Sequence, residues 1–136
     1  MKARCLCGAT RFEVQLRNHE VAACHCSMCR RQTSGPLMSI DIENIHFIDQ
    51  QHLSVASTSE WAERGFCNAC GTFIFWRTKD HSFANINVFT LEQLPEDLDF
   101  NLEIYVDHQP AFYSFNNQTK KMTEKEVIAM FKQPDS

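Results

Sequence analysis

Seven cysteines in three tight groups constrain this chain more than any other feature. They read Cys5-Leu6-Cys7-Gly8, Cys24-His25-Cys26-Ser27-Met28-Cys29 and Cys67-Asn68-Ala69-Cys70-Gly71. An odd number cannot all pair with one another, and a reducing cytoplasm would not maintain three disulfides within one small domain. Metal explains the pattern better. Zinc takes thiolates at about 2.3 Å in a tetrahedron, and two cysteines one or two residues apart on a tight turn can reach the same ion.

In the first and third groups the second cysteine is followed by glycine, which permits the positive φ and close backbone approach of a metal-gripping knuckle. Cys5, Cys7, Cys67 and Cys70 are therefore expected to form one closed, structural four-thiolate site that staples the N-terminal strand to a turn far along the chain. The middle group lacks the glycine and offers three thiols, Cys24, Cys26 and Cys29. Three donors leave one tetrahedral position for water, substrate or another side chain, as catalytic zinc requires. A distant His or Asp completing a second structural site is the competing reading. His25 lies between two ligands, and on extended chain its ring points away from the side that carries Cys24 and Cys26, so it reads as a support for the site and not a ligand. His19, His46, His52, His81 and His108 read as ordinary polar residues with no assigned function.

At 136 residues the chain suits a single domain, 1–136, with a genuine core. Eleven Phe against four Gly and four Pro argue for a globular protein and against disorder or a fibrous repeat. The formal charge of -4 gives no basic footprint for nucleic acid, although Arg30 and Arg31 make a small positive patch. No stretch approaches the ~20 apolar residues that span a bilayer. Cys5, Cys7 and Gly8 sit where a signal peptide needs an unbroken apolar run, so no membrane partner and a cytoplasmic location are expected.

Alternating apolar residues predict strands at Phe12 to Leu16 and Met38 to Ile42, with further strand signals at Ile45 to Ile48, Leu53 to Val55, Thr72 to Trp76, Ala84 to Val88 and Leu102 to Val106. Helix is sparse: a short turn after Cys26, and a final segment opened by a Thr123/Glu126 capping box. The stretch from Leu94 to Phe100, with Pro95, reads as a loop. Phe73, Phe75 and Trp76 read as core. The fold expected is mainly β, of antiparallel sheets with zinc knuckles and short helices.

These motifs resemble the glutathione-dependent formaldehyde-activating enzyme family. The resemblance rests on Cys5-Leu6-Cys7-Gly8, on Cys24 to Arg31 followed by Gly35, and on Phe66-Cys67-Asn68-Ala69-Cys70-Gly71; all seven cysteines fall on family positions. Thr90-Leu91-Glu92 looks like a Thr-Leu-Asp element, and Phe112 stands where tryptophan is often found. The resemblance implies a fold of the Mss4-like type, structural zinc on Cys5, Cys7, Cys67 and Cys70, and catalytic zinc on Cys24, Cys26 and Cys29. It extends to vertebrate centromere-associated proteins that need not be enzymes.

The function this implies is a carbon-sulfur lyase-type enzyme that joins a thiol, glutathione or a similar one, to formaldehyde or another small aldehyde, reversibly. Arg30 and Arg31 are the candidates to receive a glutathione carboxylate. Two other classes compete. One is a non-catalytic, zinc-stabilised binding module, and the other a redox switch in which Cys26 and Cys29 oxidise and release metal.

Overall fold

The computed structural model describes residues 1–131. Strands β1 (Lys2–Arg4), β2 (Arg11–Cys24), β3 (Leu37–Asp49), β4 (Leu53–Ser57), β5 (Ala62–Cys67), β6 (Phe73–Thr78), β7 (Ala84–Asn87), β8 (Asp99–Ile104) and β9 (Lys120–Met122) dominate, with helices α1 (Ser27–Thr33) and α2 (Glu124–Phe131). The expectation of a mainly β chain is met. The chain divides into two compact units, one of Met1–His19 with Ser39–Leu98, the other of Glu20–Met38 with the chain from Asp99 onward.

In the first unit the ladders β4·β5, β5·β6, β6·β7 and β7·β3 are antiparallel, as is β1·β2. The expected alternation holds in β2, where Phe12 and Val14 are buried between exposed Arg11, Glu13 and Gln15; in β3 Ile40 and Ile42 are buried as expected, but Ser39 is buried too and Met38 only half-buried, so the alternation breaks at its start. In β6 it fails, because Phe73, Ile74 and Phe75 are all buried and the strand is covered on both faces. Phe73 and Phe75 are core as expected, while Trp76 is half-buried and meets Trp61 edge-on at 5.4 Å.

Strand β5 carries no strand signal in the sequence, since Glu63, Arg64 and Gly65 break any apolar pattern. The structure explains the last two. Arg64 is 3% exposed, with its guanidinium 5.8 Å from the centre of the Phe73 ring. Gly65 pairs across the ladder with Phe75, whose ring lies so close that a β-carbon at position 65 would collide with three of its atoms. Gly65→Ala should therefore force the Phe75 ring or the strand to shift, at a cost of about 1–3 kcal/mol. Urea denaturation checks this, and an unchanged midpoint would mean that the ring yields freely.

The second unit is built differently. Glu20–Cys24 of β2 runs parallel to β8, with an irregularity between Val21 and Ala22, and β8 runs parallel to β9. β8 starts earlier than the sequence suggests, taking in Asp99 and Phe100, and gives way after Ile104 to a 3-10 turn at Val106–His108. The short turn expected after Cys26 is helix α1, capped at its start by the Cys26 sulfur, which accepts from the Cys29 amide at 3.3 Å. The expected capping box opens α2: Thr123 N donates to Glu126 Oε1 at 3.0 Å and Glu126 N donates to Thr123 Oγ1 at 3.3 Å. Among the described residues no helix is long and apolar enough to cross a membrane.

Candidate metal centres

The first unit brings Cys5, Cys7, Cys67 and Cys70 together with all four sulfurs within 4.8 Å of one another. Cys5 and Cys7 follow β1; Cys67 ends β5 and Cys70 lies on the turn beyond it. Gly8 and Gly71 have φ of 81° and 82°, the left-handed backbone both knuckles were expected to need. Zinc–sulfur bonds of about 2.3 Å in a tetrahedron put sulfurs roughly 3.8 Å apart. Here Cys5 and Cys7 are 3.6 Å apart, and Cys7 and Cys67 3.9 Å. The donor set therefore fits such an ion.

Main-chain amides already point at this cluster. Thr10 N donates to Cys5 Sγ at 3.3 Å and Ala9 N to Cys7 Sγ at 3.4 Å. Thr72 ties the two knuckles: its Oγ1 accepts from Leu6 N at 3.0 Å and lies 3.2 Å from Cys70 Sγ, to which its proton is free to point. The thiols pull apart in acidity. Desolvation raises Cys70, but hydrogen bonds from Thr72 and from main-chain amides outweigh it and bring the thiol down to about 5. The Ala9 amide favours the Cys7 thiolate, yet desolvation and the thiols of Cys5, Cys70 and Cys67 push it up to about 11. Crowded sulfurs cannot all ionise without a cation among them, and a divalent ion resolves the conflict.

In the second unit Cys24, Cys26 and Cys29 form another cluster within 4.8 Å, all three buried. No fourth Cys, His, Asp or Glu joins them among the described residues. Cys24 ends β2, and Cys26 and Cys29 hold the first turn of α1. Hydrogen bonding with the Cys26 and Cys29 thiols, then burial, drives the Cys24 thiol upward. Three buried sulfurs with one shared proton problem again fit a divalent ion.

His25 stands outside the sulfur cluster, as its place on extended chain suggests, and is fully buried. Its Nε2 lies 2.8 Å from Glu103 Oε1 and its Nδ1 2.8 Å from the Tyr113 hydroxyl. Thr119 Oγ1 donates to Glu103 Oε2 at 2.5 Å, and Lys121 Nζ lies 3.6 Å from the same oxygen. Burial raises the Glu103 carboxyl, but the bonds from Thr119 and His25 and the charge of Lys121 hold it below the usual carboxylate range. An ionised carboxylate only accepts, so His25 Nε2 carries the proton between them. Glu103 lies in a strand read as alternating, on its polar side; that the polar side is buried here is invisible without the Ala23↔Glu103 register against β2.

Removing one partner of such a buried pair leaves the other unsatisfied, so Glu103→Ala should cost about 3–5 kcal/mol in guanidinium denaturation. A loss below about 1 kcal/mol would show that water enters and replaces the carboxylate. The sign with pH follows from the depressed carboxyl: its contribution is full above the unfolded pKa and disappears as pH falls through the folded one.

Arg30 is half-buried and its Nε donates to the His25 carbonyl at 2.9 Å, so it is fixed beside the middle cluster. Arg31, the next residue, is exposed. Tyr105 was not singled out by its sequence context. It follows β8 in a left-handed conformation, φ 57° and ψ 40°, which is uncommon for a bulky residue. Burial, followed by the charges of Cys24 and Cys26, pushes its phenol up to about 12.

Strand-rich units carrying two cysteine clusters, each able to hold a metal ion, define a β metal-site protein. The chain belongs to the glutathione-dependent formaldehyde-activating enzyme family, whose match covers residues 1–108. It is 27% identical over 129 residues to an uncharacterized lyase of Schizosaccharomyces pombe, spanning 93% of each chain. It is also similar to a Rhodobacter sphaeroides protein of known crystal structure, with a TM-score of 0.61 and 27% identity, over 76% of this chain and 99% of that one.

Proposed function

We propose that this chain, acting as a single Mss4-like domain in the cytoplasm, joins glutathione or a similar thiol to formaldehyde or another small aldehyde, and reverses the reaction. The observation that carries the reading is the buried trio Cys24, Cys26 and Cys29, to which no further protein donor is added among the described residues. Cys5, Cys7, Cys67 and Cys70 hold the structural zinc in this reading. A zinc ion on the trio supplies an open coordination position and ionises a thiol that binds there.

The chain's own residues do the rest. A free thiol with a pKa of about 8.5 is only about 3% thiolate at pH 7, so ionisation alone offers about thirtyfold. Rate beyond that comes from holding sulfur and carbonyl carbon together, which well-oriented sites do far more effectively than acidity. Arg30 is suited to hold the thiol's carboxylate: its Nε is engaged by the His25 carbonyl, which leaves the two Nη groups to form the fork. Arg31 adds positive charge from an exposed position.

The test is adduct formation followed by exchange NMR, with glutathione and formaldehyde at equilibrium and zinc-loaded protein added. Faster exchange between free glutathione and the S-hydroxymethyl adduct is expected, together with two zinc ions per chain and one in Cys24→Ala. Two tightly held ions with no acceleration for any thiol and small aldehyde would instead make the chain a zinc-stabilised binding module.

A further inference from the structure

Every polar group of His25 is engaged. Its amide N donates to the Ile104 carbonyl at 3.0 Å, and its carbonyl accepts from Arg30 Nε at 2.9 Å. Its Nε2 donates to Glu103 Oε1 at 2.8 Å, and its Nδ1 lies 2.8 Å from the Tyr113 hydroxyl. The fully buried ring also packs against two aromatic rings, Tyr113 with centres 5.5 Å apart and Phe115 at 5.9 Å. The thiol–aldehyde reaction itself calls on neither His25 nor Glu103.

The position of His25 gives this network its meaning. It is the single residue between Cys24 and Cys26. On extended chain those two side chains point to one side, and Ala23 and His25 to the other. The parallel register of β2 and β8 sets Ala23 beside Glu103, so Glu103 reaches His25 from the face opposite the sulfurs. Glu103 is held in turn on its other oxygen, by Thr119 Oγ1 at 2.5 Å and Lys121 Nζ at 3.6 Å. Each peptide group is planar, and the two that flank His25 lead directly to Cys24 and Cys26. Holding the His25 amide, carbonyl and ring therefore fixes the directions in which both neighbouring thiols leave the chain. In the four-thiolate site that work falls to the glycine turns after Cys7 and Cys70. The trio has no such glycine, and the His25–Glu103 pair stands in its place.

We propose that Glu103 is a positioning residue that acts through His25 to hold Cys24 and Cys26 at the spacing one metal ion requires. The inference rests on the trio holding a metal ion, as in the thiol–aldehyde reading, and deepens it. An open site exchanges its fourth donor, and its three sulfurs keep their places through that exchange when the protein, and not the ion alone, holds them. Support from behind the ligands supplies this, and such partners are worth about 10–100-fold in metal affinity.

The experiment withdraws zinc from the full chain with a competing chelator, in the native protein and in Glu103→Ala, Glu103→Gln and Tyr113→Phe. Cys24→Ala, which keeps the four-thiolate site, identifies the ion that belongs to the trio. Glu103→Ala should weaken the trio's ion by about 10–100-fold and leave the four-thiolate ion at its native affinity. Glu103→Gln keeps an oxygen for His25 Nε2 and should bring the trio back to within about threefold of native. Tyr113→Phe takes away only the hydroxyl at Nδ1, should weaken the trio by about tenfold, and decides the matter where Glu103→Ala does not fold. Gly65→Ala, destabilising in the other unit, should lower the melting temperature without moving the trio's affinity, which separates positioning from general stability. With cobalt(II) in place of zinc, the absorption of the trio's ion should change in Glu103→Ala and return in Glu103→Gln. Native trio affinity in Glu103→Ala and Tyr113→Phe, or equal weakening of both metal sites, would overturn the assignment. A native chain that holds only the four-thiolate ion would remove it together with the trio's metal. Zinc affinity is read without turnover, so the thiol–aldehyde reading stands or falls in the exchange experiment alone.

Discussion

Cys67→Ala is expected to give no soluble, folded protein, and the same holds for replacement of Cys5, Cys7 or Cys70. A structural zinc site contributes on the order of 10 kcal/mol, comparable to the entire 5–15 kcal/mol stability of a typical domain. The geometry locates that dependence. β1 is three residues long, and Cys5 and Cys7 directly beyond it meet the end of β5, some sixty residues later, through sulfurs and the Thr72 hydroxyl. A strand that short has little ladder of its own to hold it. The trio behaves differently. Cys24→Ala and Cys29→Ala should remain folded with one metal fewer, and Cys26→Ala should lose about 1 kcal/mol more because its sulfur caps α1. Solubility, circular dichroism and metal content measure all of these. A well-folded Cys67→Ala, or insolubility of all three trio variants, would reverse the division between a structural and an open site.

The grouping of the cysteines into a set of four and a set of three was legible in the sequence because ligand spacing and a following glycine are local features. Gly8 and Gly71 adopt the positive φ that their place after Cys7 and Cys70 demands. Strands with one buried face, such as β2 through Phe12 and Val14, were equally plain. What escaped is what depends on partners distant in sequence. β5 was hidden because Gly65 is a glycine for the sake of Phe75, and Arg64 is buried against Phe73; neither neighbour can be read from the segment itself. Glu103 and Tyr113 converge on His25 from 78 and 88 residues away, so a charged residue in a strand and a tyrosine in a loop gave no sign of their shared role. The parallel pairing of β2 with β8 follows the same logic, because alternation reports a face and not the direction of a neighbour.

Glutathione should bind the zinc-loaded protein far more tightly than S-methylglutathione does. Three thiolates around a divalent ion carry a net charge of -1 and leave one position for a further donor. A thiol can serve there only by giving up its proton, whereas a thioether is a weak donor with no proton to lose. Affinity for glutathione should therefore rise with pH, by up to tenfold per unit, and level off once the free thiol ionises near pH 8.5. Arg30 sets the remainder, since its contact with a carboxylate is the same for both ligands and cancels in the comparison. Isothermal titration in two buffers of different ionisation enthalpy reads both quantities, because a released proton makes the apparent heat depend on the buffer. Cys24→Ala, folded but short of one metal, should erase the difference between the two ligands. Equal affinities in the native chain, or heats independent of buffer, would rule out thiol activation at the trio while leaving both cysteine clusters as metal sites.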